Sequence, residues 1–171
     1  MESLEQYIRK IPDFPKKGIS YKDITPLLQD PEAMRLAVNL FLKELGDRKI
    51  DKVVGIESRG FFFATLLAEK LNAGFVPIRK PGKLPYKTLK EVYQLEYGND
   101  VLEIHEDAIT KGEQVLIHDD VLATGGTAAA ACKLVERLGG KIVQCNFLLE
   151  LQALRGRDKL QVFEVVSLLT M

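Results

Sequence analysis

The stretch Val115-Leu-Ile-His-Asp-Asp-Val-Leu-Ala-Thr-Gly-Gly-Thr127 decides how this chain is read. It opens as a β-prone apolar run, reaches the adjacent carboxylates Asp119 and Asp120, and passes through a loop of small residues. An alanine-rich helical segment follows. Two neighbouring carboxylates at a strand exit repel one another, so they are either solvated in a turn or engaged by a ligand. The sequel Ala123-Thr124-Gly125-Gly126-Thr127 favours engagement. These residues let backbone N–H groups approach a ligand closely and supply two hydroxyls. They lead straight into a helix N-terminus, where unpaired donors and the helix dipole suit a phosphate. One side of the loop then suits a phosphate and the other a sugar diol.

Outward from this stretch, Val53 to Ile56, Phe75 to Ile78, Ile142 to Leu149 and Val162 to Leu169 are further β-prone runs. Helical patterns lie between several of them. Asp30-Pro31 supplies an N-cap and a proline at the first helical position. Met34, Ala37, Val38, Phe41 and Leu45 then share one face before Gly46 stops the helix. A second helix is expected over Phe61 to Leu71 and a third over Gly126 to Leu138. This alternation predicts an α/β fold, a mainly parallel twisted sheet with helices on both faces. Ligands in such sheets bind beyond the carboxyl ends of the strands. Two regions break the pattern. Residues 1–29, with Pro12, Pro15, Gly18 and Pro26, read as a small N-terminal hood. Residues 80–100, with Pro81, Gly82, Pro85 and Gly98, read as a long flexible loop or ribbon, of the kind that often carries function. The whole chain, 1–171, is expected as one domain.

Apolar residues make up 46% and charged residues 28% of the chain, enough to bury a real core. Lys+Arg and Asp+Glu number 24 each, so no broad field draws in nucleic acid or an anionic membrane. Any anion site must be a local arrangement. Cys132 and Cys145 lie in apolar contexts without a CxxC, which fits buried free thiols in a reducing cytosol better than a zinc site. The start at Met1 lacks the basic and apolar regions of a signal peptide, and no apolar run approaches the ~18 residues of a membrane span. A cytoplasmic location is expected.

Phe61, Phe62 and Phe63 fall at about 100° intervals around their helix. With Leu66, Leu67 and Leu71 they nearly encircle it with apolar surface. Two covers fit, the rest of this chain or a second subunit, and we expect a homodimer through this helix. Simpler phosphate motifs fail. Gly55 and Gly60 have P-loop spacing, but Phe61-Phe62 follows in place of Lys-Ser/Thr, and G-x-G-x-x-G is absent. A Ser58/His118/Asp119 triad is disfavoured because adjacent strand residues point to opposite faces. His118 is expected as a partly buried structural histidine.

Val115 to Thr127 resembles the phosphoribosyl-pyrophosphate (PRPP) signature of the type I phosphoribosyltransferases. Four more motifs are similar to those of that family's adenine-using branch: Asp13-Phe-Pro15 with Asp23-Ile-Thr-Pro26, Gly55-Ile-Glu-Ser-Arg-Gly-Phe61, Ile78-Arg-Lys-Pro-Gly-Lys-Leu-Pro85 and Leu95-Glu-Tyr-Gly98. In the hypoxanthine-guanine branch the residue before Thr-Gly is typically an aspartate that handles the proton on the base N7. Ala123 stands here, and the resemblance passes that role to Glu96. It further implies PRPP binding by Asp119, Asp120, Ala123, Thr124, Gly125, Gly126 and Thr127, together with Ser58, Arg79, Lys80 and Lys83. Arg59 would be a catalytic residue beside the leaving pyrophosphate. Ile19, Ser20, Tyr21 and Lys22 would line the adenine pocket, with Tyr21 stacking on the purine. Many relatives carry Phe and Arg at the last two of these positions. Lys cannot reproduce the bidentate fork of Arg, so the role of Lys22 stays open.

The implied reaction is adenine plus PRPP giving AMP and pyrophosphate, a step of purine salvage. Mg²⁺ would enter with PRPP near Asp119 and Asp120, no metal being held by the protein alone. Glu96 would accept the N7 proton beneath a closing loop, while Arg79, Lys80 and Lys83 would neutralise the leaving group. A xanthine- or pyrimidine-using relative, or a PRPP-sensing regulator that binds nucleic acid, would share the 115–127 signature. The motifs at 19–22 and 95–98 speak for adenine, and zero net charge speaks against the regulator.

Overall fold

The structure, a computed structural model, describes residues 3–94 and 98–171. Two compact units divide the chain, residues 1–43 and 44–171. In the first, a 3₁₀ turn at Leu4–Tyr7 is capped by the Ser3 hydroxyl, which accepts from the Glu5 amide at 3.3 Å. β1 (Arg9–Ile11) and β2 (Tyr21–Asp23) pair antiparallel, with Arg9 opposite Asp23 and their charges 3.7 Å apart. The short helix α1 (Thr25–Gln29) follows. Helix α2 (Pro31–Leu45) starts as its sequence requires. The Asp30 carboxylate accepts from the Glu32 and Ala33 amides, both at 2.9 Å, and Pro31 fills a position that has no use for a donor. The segment read as a small N-terminal hood holds regular elements of its own, and the unit boundary falls inside α2.

The second unit is built on five parallel strands. They are β3 (Lys52–Ile56), β4 (Gly74–Ile78), β7 (Gln114–Leu122), β8 (Lys141–Glu150) and β9 (Val165–Thr170), in the order β4-β3-β7-β8-β9. Helix α3 (Gly60–Lys70) connects β3 to β4, and α4 (Gly126–Arg137) connects β7 to β8. These crossovers leave the sheet centre in opposite directions, so right-handedness puts the two helices on opposite faces. Packing agrees. Ala131, Leu134 and Val135 of α4 share a core with Val54, Ile117, Cys145 and Phe147. On the other face, a Cβ added to Gly55 would lie 2.9 Å from the Ala64 side chain, and Phe63 meets His118 edge-on at 6.1 Å between ring centroids. Because both faces are covered, Val115, Leu116, Ile117 and His118 are all buried, and β7 reads as a continuous run rather than an alternation.

Two expectations need correction. Asp119 and Asp120 are not at the exit of β7 but inside it, since pairing with β8 continues to Leu122 opposite Glu150. His118 is fully rather than partly buried, its Nδ1 bonded to Asn146 Oδ1 at 2.7 Å. The α3 phenylalanines face different surroundings, as their spacing around the helix predicts. Phe63 is buried, Phe61 packs edge-on against Phe75 at 5.6 Å, and Phe62 remains 44% exposed. Within residues 80–100 the ribbon alternative is the one found. β5 (Thr88–Gln94) and β6 (Asn99–His105) pair antiparallel from Thr88 opposite His105 to Gln94 opposite Asn99. The prolines and Gly82 that suggested a loop precede the hairpin, and its buried Leu102 and Ile104 join the α4 core. Arg137 of α4 donates to the Lys90 carbonyl at 2.6 Å, which seats the hairpin on that helix. Cys132 of α4 and Cys145 of β8 are free thiols with their sulfurs 3.6 Å apart. No helix among the described residues is long and apolar enough to cross a membrane.

Burial lowers the His118 pKa to about 4, against a smaller opposing effect of the Asn146 hydrogen bond. The depressed value means the folded state holds the neutral ring. The stability this confers is present above the ordinary histidine pKa and is lost as pH falls from about 6.5 toward 4, a contribution of about 3 kcal/mol. Urea unfolding should therefore show stability declining across that window. An NMR titration should find the His118 ring still neutral at pH 5.5, and protonation near pH 6.5 would contradict the burial argument.

Candidate active site

Where neighbouring parallel strands send their crossovers to opposite faces, a crevice opens beyond their carboxyl ends. Here those strands are β3 and β7. β3 delivers Glu57, Ser58 and Arg59, with the Glu57–Ser58 peptide in the cis form, and α3 begins at once. β7 delivers Asp119, Asp120 and then the loop from Ala123 to Gly125 that leads into α4. Glu57, Ser58, Arg59, Asp119, Asp120 and Ala123, with Thr127 and Lys80, line a cleft of about 420 Å³. A smaller hollow of about 70 Å³ lies against Ala123, Thr124, Gly125 and Thr127. Two glycines make the geometry possible. Gly125 caps α4 in a left-handed conformation (φ 78°), and a Cβ there would collide with the Gly156 carbonyl. A Cβ on Gly60 would sit 2.9 Å from Asp119 Oδ1, so only glycine lets α3 start this close to β7.

The charged groups are arranged in pairs. Arg59 Nε meets Asp120 Oδ2 at 2.9 Å, bridging the two sides of the crevice. Three donors converge on Glu57: Arg79 Nε at 3.2 Å, the Lys80 amide at 2.8 Å, and the Lys83 ammonium. Burial works to raise the Glu57 carboxyl, but hydrogen bonds from Lys83, the Lys80 amide and Arg79 outweigh it and hold the group below the usual range. Lys80 itself reaches Asp100 of β6. Glu57, Tyr93 and Asp100 were not singled out from the sequence. Glu57 stood within a quoted motif as a neighbour of Arg59, while Tyr93 and Asp100 are made relevant only by the hairpin register that places them opposite each other.

Of the residues expected at the site, Ser58, Arg59, Lys80, Asp119, Asp120, Ala123 and Thr127 line one cleft. Thr124 and Gly125 border the adjoining hollow, and Gly126 begins α4. Arg79 and Lys83 join through Glu57. Ile19, Ser20, Tyr21 and Lys22 belong to the first unit. There Tyr21 packs edge-on against Phe14 at 5.1 Å, and Lys22 Nζ donates to Ser20 Oγ at 2.9 Å. Glu96, with Leu95 and Tyr97, lies outside the described residues.

Asp119 and Asp120 are the electrostatic cost of the site. Burial raises the Asp119 carboxyl well above its ordinary value, and the neighbouring Asp120 charge raises it further. Asp120 is raised by burial too, with Arg59 opposing. A carboxyl raised on folding stabilises below its unfolded pKa and loses that contribution as pH rises, so at neutral pH the pair weakens the fold. Asp119→Asn retains the oxygen that accepts from the Asp120 amide at 2.9 Å while removing one charge. Calorimetry at pH 7.5 should give a thermal midpoint several degrees above the parent protein, with the gain shrinking toward pH 4. A lower midpoint at pH 7.5 would show that the pair is not under strain.

Among the described residues no group of three or more His, Cys, Asp or Glu side chains could hold a metal ion. Comparison with known proteins agrees with this architecture. The phosphoribosyl transferase domain family matches residues 21–169. Adenine phosphoribosyltransferase of Christiangramia forsetii is 75% identical over 97% of both chains. The crystal structure of adenine phosphoribosyltransferase from Thermoanaerobacter pseudethanolicus superposes with a TM-score of 0.96 at 52% identity, covering 98% of each chain. That of the Saccharomyces cerevisiae enzyme, complexed with D-2,5-dideoxy-2,5-imino-altritol 1,6-bisphosphate and adenine, gives 0.91 at 44% identity over 96% of each. The parallel sheet, the strand–loop–helix crevice and these full-length likenesses together assign the chain to the phosphoribosyltransferase family.

Proposed function

We infer that this chain transfers the 5-phosphoribosyl group of PRPP to N9 of adenine, yielding AMP and pyrophosphate. The observation that carries this reading is the cleft in which Ala123 and Thr127, the Asp119–Asp120 pair and the basic residues Arg59 and Lys80 meet, with the hollow against Thr124 and Gly125 beside it. Such a reaction separates charge. Displacement at the anomeric carbon builds oxocarbenium character on the ribose and negative charge on the departing pyrophosphate. The amides of Thr124, Gly125, Gly126 and Thr127, at the open end of α4, would hold the 5-phosphate. Asp119 and Asp120 would accept hydrogen bonds from the ribose diol and lower the cost of positive charge on the ring. Arg59, Arg79, Lys80 and Lys83, with the Ser58 backbone, would receive the pyrophosphate where its charge develops.

The buried carboxylate pair also suits a cation. Asp119 and Asp120 carry two acidic groups against the single guanidinium of Arg59, so Mg²⁺ brought in by PRPP would relieve their repulsion. When bound, it would neutralise pyrophosphate charge. The chain's own residues orient and enclose. By family resemblance Glu96 accepts the N7 proton of adenine, making N9 the better nucleophile, and Ile19 to Lys22 hold the base against Tyr21. Exclusion of water would strengthen each charged contact and protect PRPP from hydrolysis. The reading is of a cytoplasmic salvage enzyme with no nucleic-acid or membrane partner. It works as a homodimer, for which the exposed Phe62 of α3 offers an apolar contact.

Incubation with PRPP, Mg²⁺ and each nucleobase in turn should yield AMP and pyrophosphate with adenine alone. Product from xanthine or a pyrimidine would reassign the base, and no product with any base would favour a PRPP-sensing regulator. Glu96→Gln should lower kcat by roughly 10²–10⁴-fold. A loss below about fivefold, far under the usual worth of a proton acceptor, would remove it from that role. Asp119→Asn should raise the KM for PRPP while leaving that for adenine near its parent value. Light scattering at micromolar concentration should give about twice the 19.2 kDa chain mass, and Phe62→Glu should return it to the monomer.

A further inference from the structure

The cations assigned above to the leaving group are already engaged. Glu57 takes Arg79 and Lys83, and Asp100 takes Lys80. Asp100 is the second residue of β6 and stands opposite Tyr93 of β5. The Tyr93 hydroxyl donates to Asp100 Oδ2 at 3.1 Å. It accepts from Lys80 Nζ and from Thr127 Oγ1, each at 3.3 Å. One proton given and two accepted exhausts what a phenol can do. The Tyr93 ring lies against the start of α4, where a Cβ added to Gly126 would be 3.4 Å from its edge. Four elements are joined by one oxygen: the loop after β4, both hairpin strands, and the helix that ends the phosphate loop.

We propose that Tyr93 and Asp100 form a latch that keeps Lys80 and Thr127 occupied until phosphate oxygens replace them. The proposal rests on the phosphoribosyl-transfer reading of the cleft, which Lys80 and Thr127 line. Three features support it. Asp100 offers Lys80 the same kind of acceptor as a phosphate but with less charge, so pyrophosphate wins the exchange. Burial opposes both charges, yet the hydrogen bonds with Lys80 hold Asp100 below the usual carboxylate range, and those with Asp100 and Tyr93 hold Lys80 above the usual ammonium range. The hairpin is also fixed elsewhere on α4. Arg137 holds the Lys90 carbonyl at 2.6 Å, and Lys133 holds Glu91 at 3.4 Å. Loss of the Tyr93–Thr127 bond would therefore free the Gln94/Asn99 end and leave the middle of β5 as the hinge. Tyr93 and Asp100 are positioning residues, acting through Lys80 and Thr127.

The test is calorimetric binding of inorganic pyrophosphate with Mg²⁺, run beside steady-state kinetics. Asp100→Asn releases Lys80 and should tighten pyrophosphate about fivefold, the worth of a half-exposed ion pair. It should lower the PRPP KM in proportion and leave kcat unchanged or reduced, because product leaves more slowly. Tyr93→Phe keeps both charges and should shift affinity in the same direction. It should also speed hydrogen exchange at the Asn99–Val101 end of the hairpin over the Lys90 region. Asp100→Glu preserves the carboxylate and should match the parent protein. Pyrophosphate affinity that is unchanged or weaker in both Asp100→Asn and Tyr93→Phe overturns the latch. Tighter pyrophosphate binding in a protein that makes no AMP would instead sink the transferase reading and leave the latch standing.

Discussion

Two neighbouring parallel strands, β3 and β7, hand their chains to helices on opposite faces of the sheet, and no connection can then cover the gap between their carboxyl ends. The other features of the site answer to that gap. It brings the residues after β3 beside those after β7, and it demands glycine at position 60 because α3 must start against the β7 backbone. It also opens two helix N-termini toward one crevice, where unpaired N–H groups are available to an anion. The cleft is a consequence of chain topology, and the side chains only decide which chemistry it suits.

Charge in this crevice is balanced internally rather than by solvent. Arg59 is set against Asp120, Arg79 and Lys83 against Glu57, and Lys80 against Asp100. Such pairing reconciles a crevice rich in basic side chains with a chain of zero formal charge. Among the described residues of the crevice Asp119 has no salt bridge of its own, and burial, with the Asp120 charge beside it, pushes its carboxyl well up. The stability given up there is local. It is offset by the apolar core of the same unit, where Phe63 and Phe147 are fully buried.

The sheet and its helices were legible because their signals are local. The Asp30-Pro31 cap, the β-branched runs and the Gly125-Gly126 junction each lie within a few residues of what they specify. Strand β7 was read too short because Asp119 and Asp120 look like a strand end, and only the ladder to β8 shows that pairing outlasts the apolar run. The hairpin was obscured in the same way by Pro81, Gly82 and Pro85, which precede it. Convergence of Arg79, Lys80 and Lys83 on Glu57 spans more than twenty positions, and no periodicity encodes it. The Ala123–Thr127 loop was legible for the opposite reason, since backbone geometry, hydroxyls and helix start are contiguous.

The cysteine pair under this loop carries a consequence of a different kind. Cys132 belongs to helix α4, which follows the Ala123–Gly125 loop, and Cys145 to strand β8. The hydrogen bond with Cys145 and then burial push the Cys132 thiol far up, which leaves almost no thiolate for alkylating reagents to find. Reaction at these sulfurs must wait until α4 lifts from the sheet. The chain therefore carries its own chemical stopwatch, because the rate at which a thiol reagent consumes the pair records how often the floor of the site comes apart.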